Sequence, residues 1–246
     1  VFATSETRRW RRQGVLSLDP VASQWLNEHV RPGDVMYDIG AGVGAYSILA
    51  AVKRGATVVA FEPGFAAFKG LCDNLLLNGC YRSVVPLPVS LGDRTGLLEL
   101  EYLHDAGDDV HALRPRVWKT RRDSLESHYA QPVCAERLDD IVTRHGLPAP
   151  NVVRVAVRRG AEAVLVGATR SLRAPGLRSI LVSVKDEAQA EGVVVAARRN
   201  GFAASVGATN GDHGIAVHLE RTGRPGMLDK PSETFRRAAE RFRRLW

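Results

Sequence analysis

A glycine-rich segment has the residue types that a nucleoside-binding turn needs. Its sequence, Asp38-Ile39-Gly40-Ala41-Gly42-Val43-Gly44, follows an apolar run and precedes a helical pattern. Glycines let a ligand approach the backbone closely, and the start of the following helix adds a positive end. A second apolar run ends in Glu62-Pro63, where a carboxylate can accept hydrogen bonds from two sugar hydroxyls. Together these residues predict a nucleoside-binding edge of an α/β sheet.

The acid before the glycines distinguishes between two classes of cofactor. The segment from Gly40 to Ala45 fits the loose dinucleotide pattern G-x-G-x-x-G/A, so the glycines alone leave NAD open. A carboxylate at Asp38 would repel a pyrophosphate but can accept a hydrogen bond from the ammonium of S-adenosylmethionine (SAM). We therefore predict SAM, with NAD or a tight turn that binds no ligand as the alternatives. The predicted cofactor-binding residues are Asp38, Gly40, Ala41, Gly42, Gly44, Glu62 and Pro63.

Strand and helix patterns alternate along the chain and would position this turn. A helix is predicted after Asp19-Pro20, because an acid followed by proline is a typical helix start. Strands are predicted near 34–39, 57–61, 84–89, 152–157, 179–184, 202–207 and 214–219, with helices between most of them. This alternation predicts an α/β fold with a doubly wound, mainly parallel, seven-stranded Rossmann-like sheet and an antiparallel hairpin at one edge.

The segment 97–137 interrupts the alternation. It opens with a predicted strand at 97–103 and continues with polar, charged and aromatic residues. Such an insertion is typical of a substrate-facing lid or of a solvated loop. His104 and His111 lie in it and are the candidate general bases, with a solvated polar role as the alternative for each. The predicted organisation is a helical lead-in at 1–33, a cofactor-binding domain at 34–220 and a tail at 221–246.

Several motifs together resemble the FkbM-type family of class I SAM-dependent methyltransferases. The resemblance covers roughly 30–221 and includes the two motifs above. It also includes Asn74 and Asn78-Gly79. The motifs that narrow it to this family are the turn from Ser90 to Gly96, Leu138-Asp139-Asp140-Ile141 and Gly160-Ala161-Glu162. It implies two further cofactor-binding residues, Ser90 and Asp93. It also implies methylation of hydroxyl oxygens on sugars, polyketides or similar natural products.

The chain departs from this family where a methyl acceptor is expected. The family usually has K-I-D-V-E-G-A-E at its fourth strand, whereas this chain has the run from Arg154 to Glu162, in which the acids are replaced by apolar residues and arginine. The fifth strand often ends in a glutamate, and here Ser183 takes that place. Arg158, Arg159 and Lys185 would make this edge positive, which predicts an anionic acceptor, although the arginines alternatively face solvent.

Charge and cysteine content restrict the remaining functional classes. The net charge is +7 over 246 residues, and 221–246 contributes +5 of it. This tail predicts a basic amphipathic helix that docks on RNA, on an anionic membrane, on the protein's own core or on a second subunit. The three cysteines are scattered, no run is long enough to span a bilayer, and no secretory pattern opens the chain, so we predict a cytoplasmic protein. Histidine spacing predicts no metal site.

The sequence thus predicts a SAM-dependent methyltransferase that acts on a hydroxyl of a small metabolite. Two alternatives stay open at this point. The arginines at 114–122 and in the tail are compatible with an RNA methyltransferase, but the chain has no recognisable RNA-binding module. The lost acids are compatible with a protein that binds SAM without transferring its methyl group.

Overall fold

The computed structural model describes residues 19–102, 110–115, 129–157, 159–208 and 214–222. In chain order the helices are α1 (Pro20–His29), α2 (Ala45–Arg54), α3 (Phe65–Leu77), α4 (Leu138–His145), α5 (Ala161–Gly167), α6 (Thr169–Leu172) and α7 (Glu187–Arg199). The strands are β1 (Val35–Ile39), β2 (Thr57–Phe61), β3 (Val84–Leu87), β4 (Ser90–Leu91), β5 (Gly96–Tyr102), β6 (Val110–Pro115), β7 (Tyr129–Glu136), β8 (Val152–Ala156), β9 (Ser179–Val184), β10 (Phe202–Ala208) and β11 (Ile215–Arg221).

Local sequence signals determine where several helices begin and end. The Asp19 carboxylate accepts a hydrogen bond from the Ala22 N–H at 2.9 Å and so caps α1. Pro20 occupies the first helical position, where its missing N–H removes no helical hydrogen bond. Gly55 and Gly146 end α2 and α4 in the left-handed conformation. These signals place α1 and α2 directly before and after β1.

Seven strands form the main sheet in the order β10-β11-β9-β8-β1-β2-β3. Strands β1, β2, β3, β8 and β9 are parallel, whereas β11 is antiparallel to both β9 and β10. The chain moves outward from β1 in one direction through β2 and β3, and in the other through β8 and β9. Ligands of such sheets bind at the carboxyl ends of the strands, where the direction reverses. The predicted sheet and its antiparallel edge pair are confirmed.

The main sheet is buried on both faces, because alternate side chains of its strands point to opposite sides. Met36 belongs to a core that packs against α1, α2 and α3. The next residue, Tyr37, belongs to a larger core that packs against α4, α5, α6 and α7. The helices cover the two faces of the sheet, and the turns that follow the parallel strands form its carboxyl edge.

A second sheet contains four strands in the order β4-β7-β5-β6. Strand β5 was predicted, whereas β4, β6 and β7 were not. Leu100, Tyr102 and Val133 form a small apolar cluster within this sheet. The insertion at 97–137 therefore contains ordered strands, and its assignment to the acceptor side remains a prediction.

Other predictions fall outside the described ranges. These include His104, Arg158 and the tail beyond 222. The helix predicted from 161 to 171 is divided at Ala168 into α5 and α6. The domain boundaries at 33 and 220 remain predictions. Among the helices of the described ranges, none combines the length and the hydropathy that crossing a membrane requires.

Candidate functional site

The glycine turn connects β1 to α2 at the carboxyl edge of the main sheet. Gly40, Gly42 and Gly44 have φ angles of 77°, 58° and 87°, a region that side chains disfavour. The N–H groups of Gly40 and Ala41 both donate to the Phe61 carbonyl, at 2.9 and 3.1 Å. The turn is therefore fastened to the end of β2, as the predicted nucleoside site requires.

Two of these glycines are also required by close packing. A Cβ atom on Gly40 would overlap the carbonyl oxygen of Ala156 at the end of β8. A Cβ atom on Gly44 would overlap the Leu71 side chain of α3. Gly40 is thus the point at which the turn touches the neighbouring strand, and the absence of a side chain there brings two parallel strand ends together.

Glu62 links the two predicted cofactor motifs. One carboxylate oxygen accepts from the Gly42 N–H and the other from the Gly64 N–H, each at 2.8 Å. The side chain is 8% exposed. These two bonds fix the carboxylate beside the glycine turn, at the end of β2. Its contact with a ribose remains a prediction.

Asp38 has different surroundings from Glu62. Its side chain is fully buried, and its two oxygens accept from Ser47 Oγ at 2.6 Å and from Arg154 Nη1 at 2.8 Å. Asp38 and Arg154 are register partners on β1 and β8. The bond from Asp38 to the SAM ammonium remains a prediction. In this structure the carboxylate forms a buried ion pair with Arg154.

The Arg154 guanidinium is buried with its partner and lies 4.1 Å from the centre of the Tyr46 ring. Burial would lower the pKa of Arg154, but Asp38, with smaller contributions from Tyr46 and Asp19, raises it. Burial raises the pKa of Tyr46 to about 12, so its hydroxyl stays protonated. The pair is therefore a fixed internal charge pair beneath the glycine turn.

The turn after β2 is held by the second sheet. Gln131 of β7, which is 1% exposed, donates from Nε2 to the Pro63 carbonyl at 2.7 Å. Its Oε1 accepts from the Phe65 N–H at 3.0 Å and from the Tyr102 hydroxyl at 2.9 Å. Pro63, a predicted cofactor contact, is thus anchored through its carbonyl to the insertion.

Ser90 and Asp93 make contacts with the second sheet and with the turn between β4 and β5. Ser90 lies in β4 and is the register partner of Ala135 on β7. The Asp93 carboxylate pairs with Arg94 at 3.0 Å, and this hydrogen bond and ion pair lower the pKa of Asp93. Their predicted cofactor contacts remain predictions.

The predicted acceptor edge comprises the ends of β8 and β9. Strand β8 ends at Ala156, and Ser183 is half-buried near the end of β9. Arg159 and Lys185 follow these strands and are exposed. His111 lies in β6, and the structure describes its backbone but not its side chain. The structure therefore places Arg159 and Lys185 on loops at the carboxyl edge. The roles of His104 and His111 as general bases remain predictions.

A group of possible metal ligands lies at the opposite edge of the sheet. His29, His218 and Glu220 offer donor atoms within 4.8 Å of one another. The Nε2 atom of His218 is already 2.8 Å from Ser179 Oγ, which also accepts from Trp25 Nε1. Burial lowers the pKa of His218 to about 3. This buried imidazole is neutral and belongs to a hydrogen-bonded chain in the core.

At the carboxyl edge, three residues of the candidate site were not predicted from sequence: Arg154, Gln131 and Tyr102. Arg154 carries a detectable signal, because it is the one charged residue in the apolar run Val152-Val153-Arg154-Val155-Ala156, and a buried charge needs a partner. Gln131 and Tyr102 carry none, since their role depends on how a second sheet docks on the turn.

Two known methyltransferases are similar to this chain in sequence. The chain is 29% identical over 195 residues to the 31-O-demethyl-FK506 methyltransferase FkbM of Streptomyces tacrolimicus, and covers 74% of that protein with 70% of its own length. It is 26% identical to the hexuronic acid methyltransferase AglP of Haloferax volcanii, covering 55% of that protein with 60% of its own length. No protein-family model matches the chain.

A solved structure has the same fold. The methyltransferase FkbM of Methylobacillus flagellatus superposes with a TM-score of 0.51 at 12% identity, over 80% of this chain and 50% of that one. The sequence similarities confirm the resemblance to the FkbM-type methyltransferases, and with the shared fold they support a methyltransferase function. The chain spans about half the length of two of these three proteins.

Proposed function

We propose that this protein uses SAM to methylate a hydroxyl oxygen of a small metabolite. The observation that carries the proposal is the Glu62 carboxylate, which the Gly42 and Gly64 N–H groups fix beside the glycine turn at the end of β2. A carboxylate at such a strand end can accept hydrogen bonds from the two hydroxyls of a ribose. The positive-φ glycines beside it give the backbone room for the rest of the ligand.

The residues at the turn fit the cofactor. Glu62 would take the ribose hydroxyls, and Gly40, Ala41, Gly42 and Gly44 would line the path of the methionine part. When bound, SAM supplies an electrophilic methyl group on a sulfonium, which is already a good leaving group. Holding the acceptor oxygen in line with that methyl group is then the main task of the protein.

The names of the relatives support oxygen as the acceptor atom. One is named for the 31-O position of a demethylated metabolite, and the other for a hexuronic acid. A hexuronic acid carries both hydroxyls and a carboxylate. The exposed cations Arg159 and Lys185, with Arg158 as a predicted third, suit an acceptor of the same chemical class, an acidic sugar or carboxylated metabolite.

A hydroxyl loses its proton as its oxygen takes the methyl group, so a nearby base would accelerate the reaction. His104 and His111 stay our candidates for this base. Ala156 and Ser183 at the strand ends supply no carboxylate, which distinguishes this chain from the family pattern. The base would therefore come from the insertion.

Two measurements test the proposal. Calorimetry with SAM and with S-adenosylhomocysteine should give saturable binding, and an absence of binding to either ligand would refute it. Protein incubated with SAM labelled on the methyl group should then transfer label to an acidic metabolite fraction.

Two other outcomes would favour the alternative functions. Label in RNA, lost on deleting 223–246, would favour an RNA methyltransferase instead. Tight binding without transfer to any fraction would favour a binding protein.

A further inference from the structure

We propose that Gln131 of the second sheet positions the ribose-binding carboxylate of Glu62, so that the insertion forms part of the cofactor site. The inference rests on the proposed function. It concerns a residue that no sequence motif indicates and that belongs to a different sheet from the glycine turn. Gln131 is a positioning residue, since its contacts are with protein groups only.

The first step is the short turn that carries Glu62. Glu62 Oε1 accepts from the Gly64 N–H at 2.8 Å, so the orientation of the carboxylate depends on the position of Gly64. Gly64 has the φ of an extended residue and begins α3. Pro63 and Gly64 lie outside the strand ladders, and proline has no N–H to donate. The Gly64 carbonyl accepts from the Phe68 N–H at 2.7 Å, which ties Gly64 to α3 but leaves Pro63 without a regular hydrogen bond. The position of this turn therefore depends on other contacts as well.

Gln131 supplies those contacts on both sides of Gly64. Its Nε2 donates to the Pro63 carbonyl and its Oε1 accepts from the Phe65 N–H. One side-chain amide thus bridges the residues immediately before and after Gly64. Because Gln131 is 1% exposed, water does not readily replace it, and its loss would leave two backbone groups without these partners.

Tyr102 fixes the amide in turn. Its hydroxyl donates to Gln131 Oε1 at 2.9 Å, and its oxygen lies 3.2 Å from the position that a Cβ atom on Gly64 would occupy. The Phe65 N–H and the Pro63 carbonyl select the orientation of the amide, and the Tyr102 hydroxyl donates to the oxygen that this orientation presents. The chain of contacts runs from Tyr102 through Gln131 and the turn to Glu62.

A double-mutant cycle on binding of S-adenosylhomocysteine tests this chain. Gln131→Leu keeps the size of the side chain and removes its hydrogen bonds, and Glu62→Gln removes the carboxylate. We expect Gln131→Leu to weaken binding about tenfold in the native background and less than about twofold in the Glu62→Gln background, because residues that act through one another are not additive. Equal losses in both backgrounds, or no loss in the native one, would overturn the inference.

Two further variants separate positioning from folding. Val133→Ala weakens the apolar cluster of the same sheet and makes none of these polar contacts, so it should lower the melting temperature and leave the dissociation constant unchanged. Tyr102→Phe decides the question if Gln131→Leu does not fold; it should weaken binding about threefold, again only while Glu62 is present. An unchanged constant for Tyr102→Phe would then count against the inference.

The wild-type protein distinguishes this failure from failure of the proposed function. If it does not bind S-adenosylhomocysteine at all, the proposed function is wrong, and the inference falls with it. If it binds and the cycle is additive, only the role of Gln131 is wrong.

Discussion

The carboxyl edge of the main sheet has two halves with different construction. At the ends of β1 and β2, the acids are buried and bonded: Asp38 to Arg154 of the neighbouring β8, and Glu62 to two backbone N–H groups. At the ends of β8 and β9, Ala156 and Ser183 supply no charge. The cations Arg159 and Lys185, which follow these strands, are exposed. The first half is fixed before any ligand binds, whereas the second depends on loop side chains.

This difference separates the two requirements of a methyl transfer. The proposed donor is the same molecule in every reaction cycle, so its site gains from contacts built into the core. The acceptor varies between related enzymes, and exposed loop residues can change without disturbing the sheet. The predictions below test whether the two halves respond to substitution in these different ways, beginning with the largest effect.

The largest effect is expected at the buried ion pair of the first half. Arg154→Met would leave the Asp38 carboxylate buried without its counter-charge, at a cost of about 3–5 kcal/mol of unfolding free energy. Denaturant unfolding measures this. The double variant Asp38→Leu with Arg154→Met removes both charges and should be more stable than Arg154→Met alone. A single variant as stable as the wild type would show that the pair has no structural role.

Gly40 is where the two halves touch, and Gly40→Ala should separate them. The added methyl group would overlap the Ala156 carbonyl oxygen at a φ of 77°, so we expect a loss of about 3 kcal/mol. Gly79→Ala is the matched control, because its φ is 64° and nothing lies within 4 Å of the new atom. That variant should lose only about 1 kcal/mol, the cost of the backbone conformation alone. Equal losses in the two variants would contradict the contact.

At the opposite edge of the sheet, the buried His218 is neutral, in contrast to the charged Asp38–Arg154 pair. The pKa of His218 is about 3 in the folded protein, below the value of about 6.5 for an unfolded histidine, so the unfolded state binds more protons between these values. Stability should therefore fall as the pH drops from 6.5 towards 3, by about 2 kcal/mol between pH 6.5 and pH 5 from this residue.

Unfolding measured against pH tests the role of His218. His218→Gln retains an acceptor for Ser179 and removes the titrating group, so its stability should depend less on pH than that of the wild type. Identical slopes for the two proteins would mean that His218 is not buried in its neutral form. His29, whose pKa burial also lowers, is common to both proteins and cancels in the comparison.

Within the first half, Glu62 and Asp38 should differ in what they control. Glu62→Gln should weaken binding of S-adenosylhomocysteine at least tenfold, or about 1.4 kcal/mol, because a ribose diol loses a charged acceptor. Asp38→Asn should mainly lower stability, since its carboxylate bonds to Ser47 and Arg154 inside the core. Calorimetry and thermal unfolding of both variants give the test. A larger binding loss in Asp38→Asn would restore its predicted contact with the ammonium.

The smallest effect is expected in the second half. Lys185→Ala should raise the KM for an acidic acceptor about two- to fivefold, because one exposed charge contributes little, and should leave SAM binding unchanged. Lys53→Ala, an exposed lysine in the last turn of α2, is the matched control. Steady-state kinetics at saturating SAM would contradict the assignment if both variants behaved alike.

The main sheet was predictable because its strands are short apolar runs. The bounds of β2 and β9 agree with prediction to the residue. The second sheet was not, since β4 has two residues and β7 contains Pro132, a poor strand former. Strands β6 and β7 form through pairing with β5, and β4 through pairing with β7, contacts that local sequence does not encode.

The same contrast holds within the candidate site. Gly40, Gly42 and Glu62 were predicted because their chemistry is local to a turn or a strand end. The role of Arg154 depends on which strand lies beside β1, and that of Gln131 on how two sheets meet. Both are properties of tertiary structure: the sequence indicates that Arg154 needs a partner without saying which, and it gives no signal for Gln131.

The pairing of β5 with β7 has a consequence for how this chain could be redesigned. Tyr102 and Tyr129 are register partners at the far end of this pair, and directly opposed residues of antiparallel strands are only about 5 Å apart. The chain thus departs from and returns to adjacent positions, with Gln131 joining this strand pair to the turn after β2. An exchange of 103–128 would also replace β6, which pairs with β5, so a new segment would need a strand of its own to cover that edge. New acceptor specificities could be installed there while the nucleoside-binding turn keeps its shape.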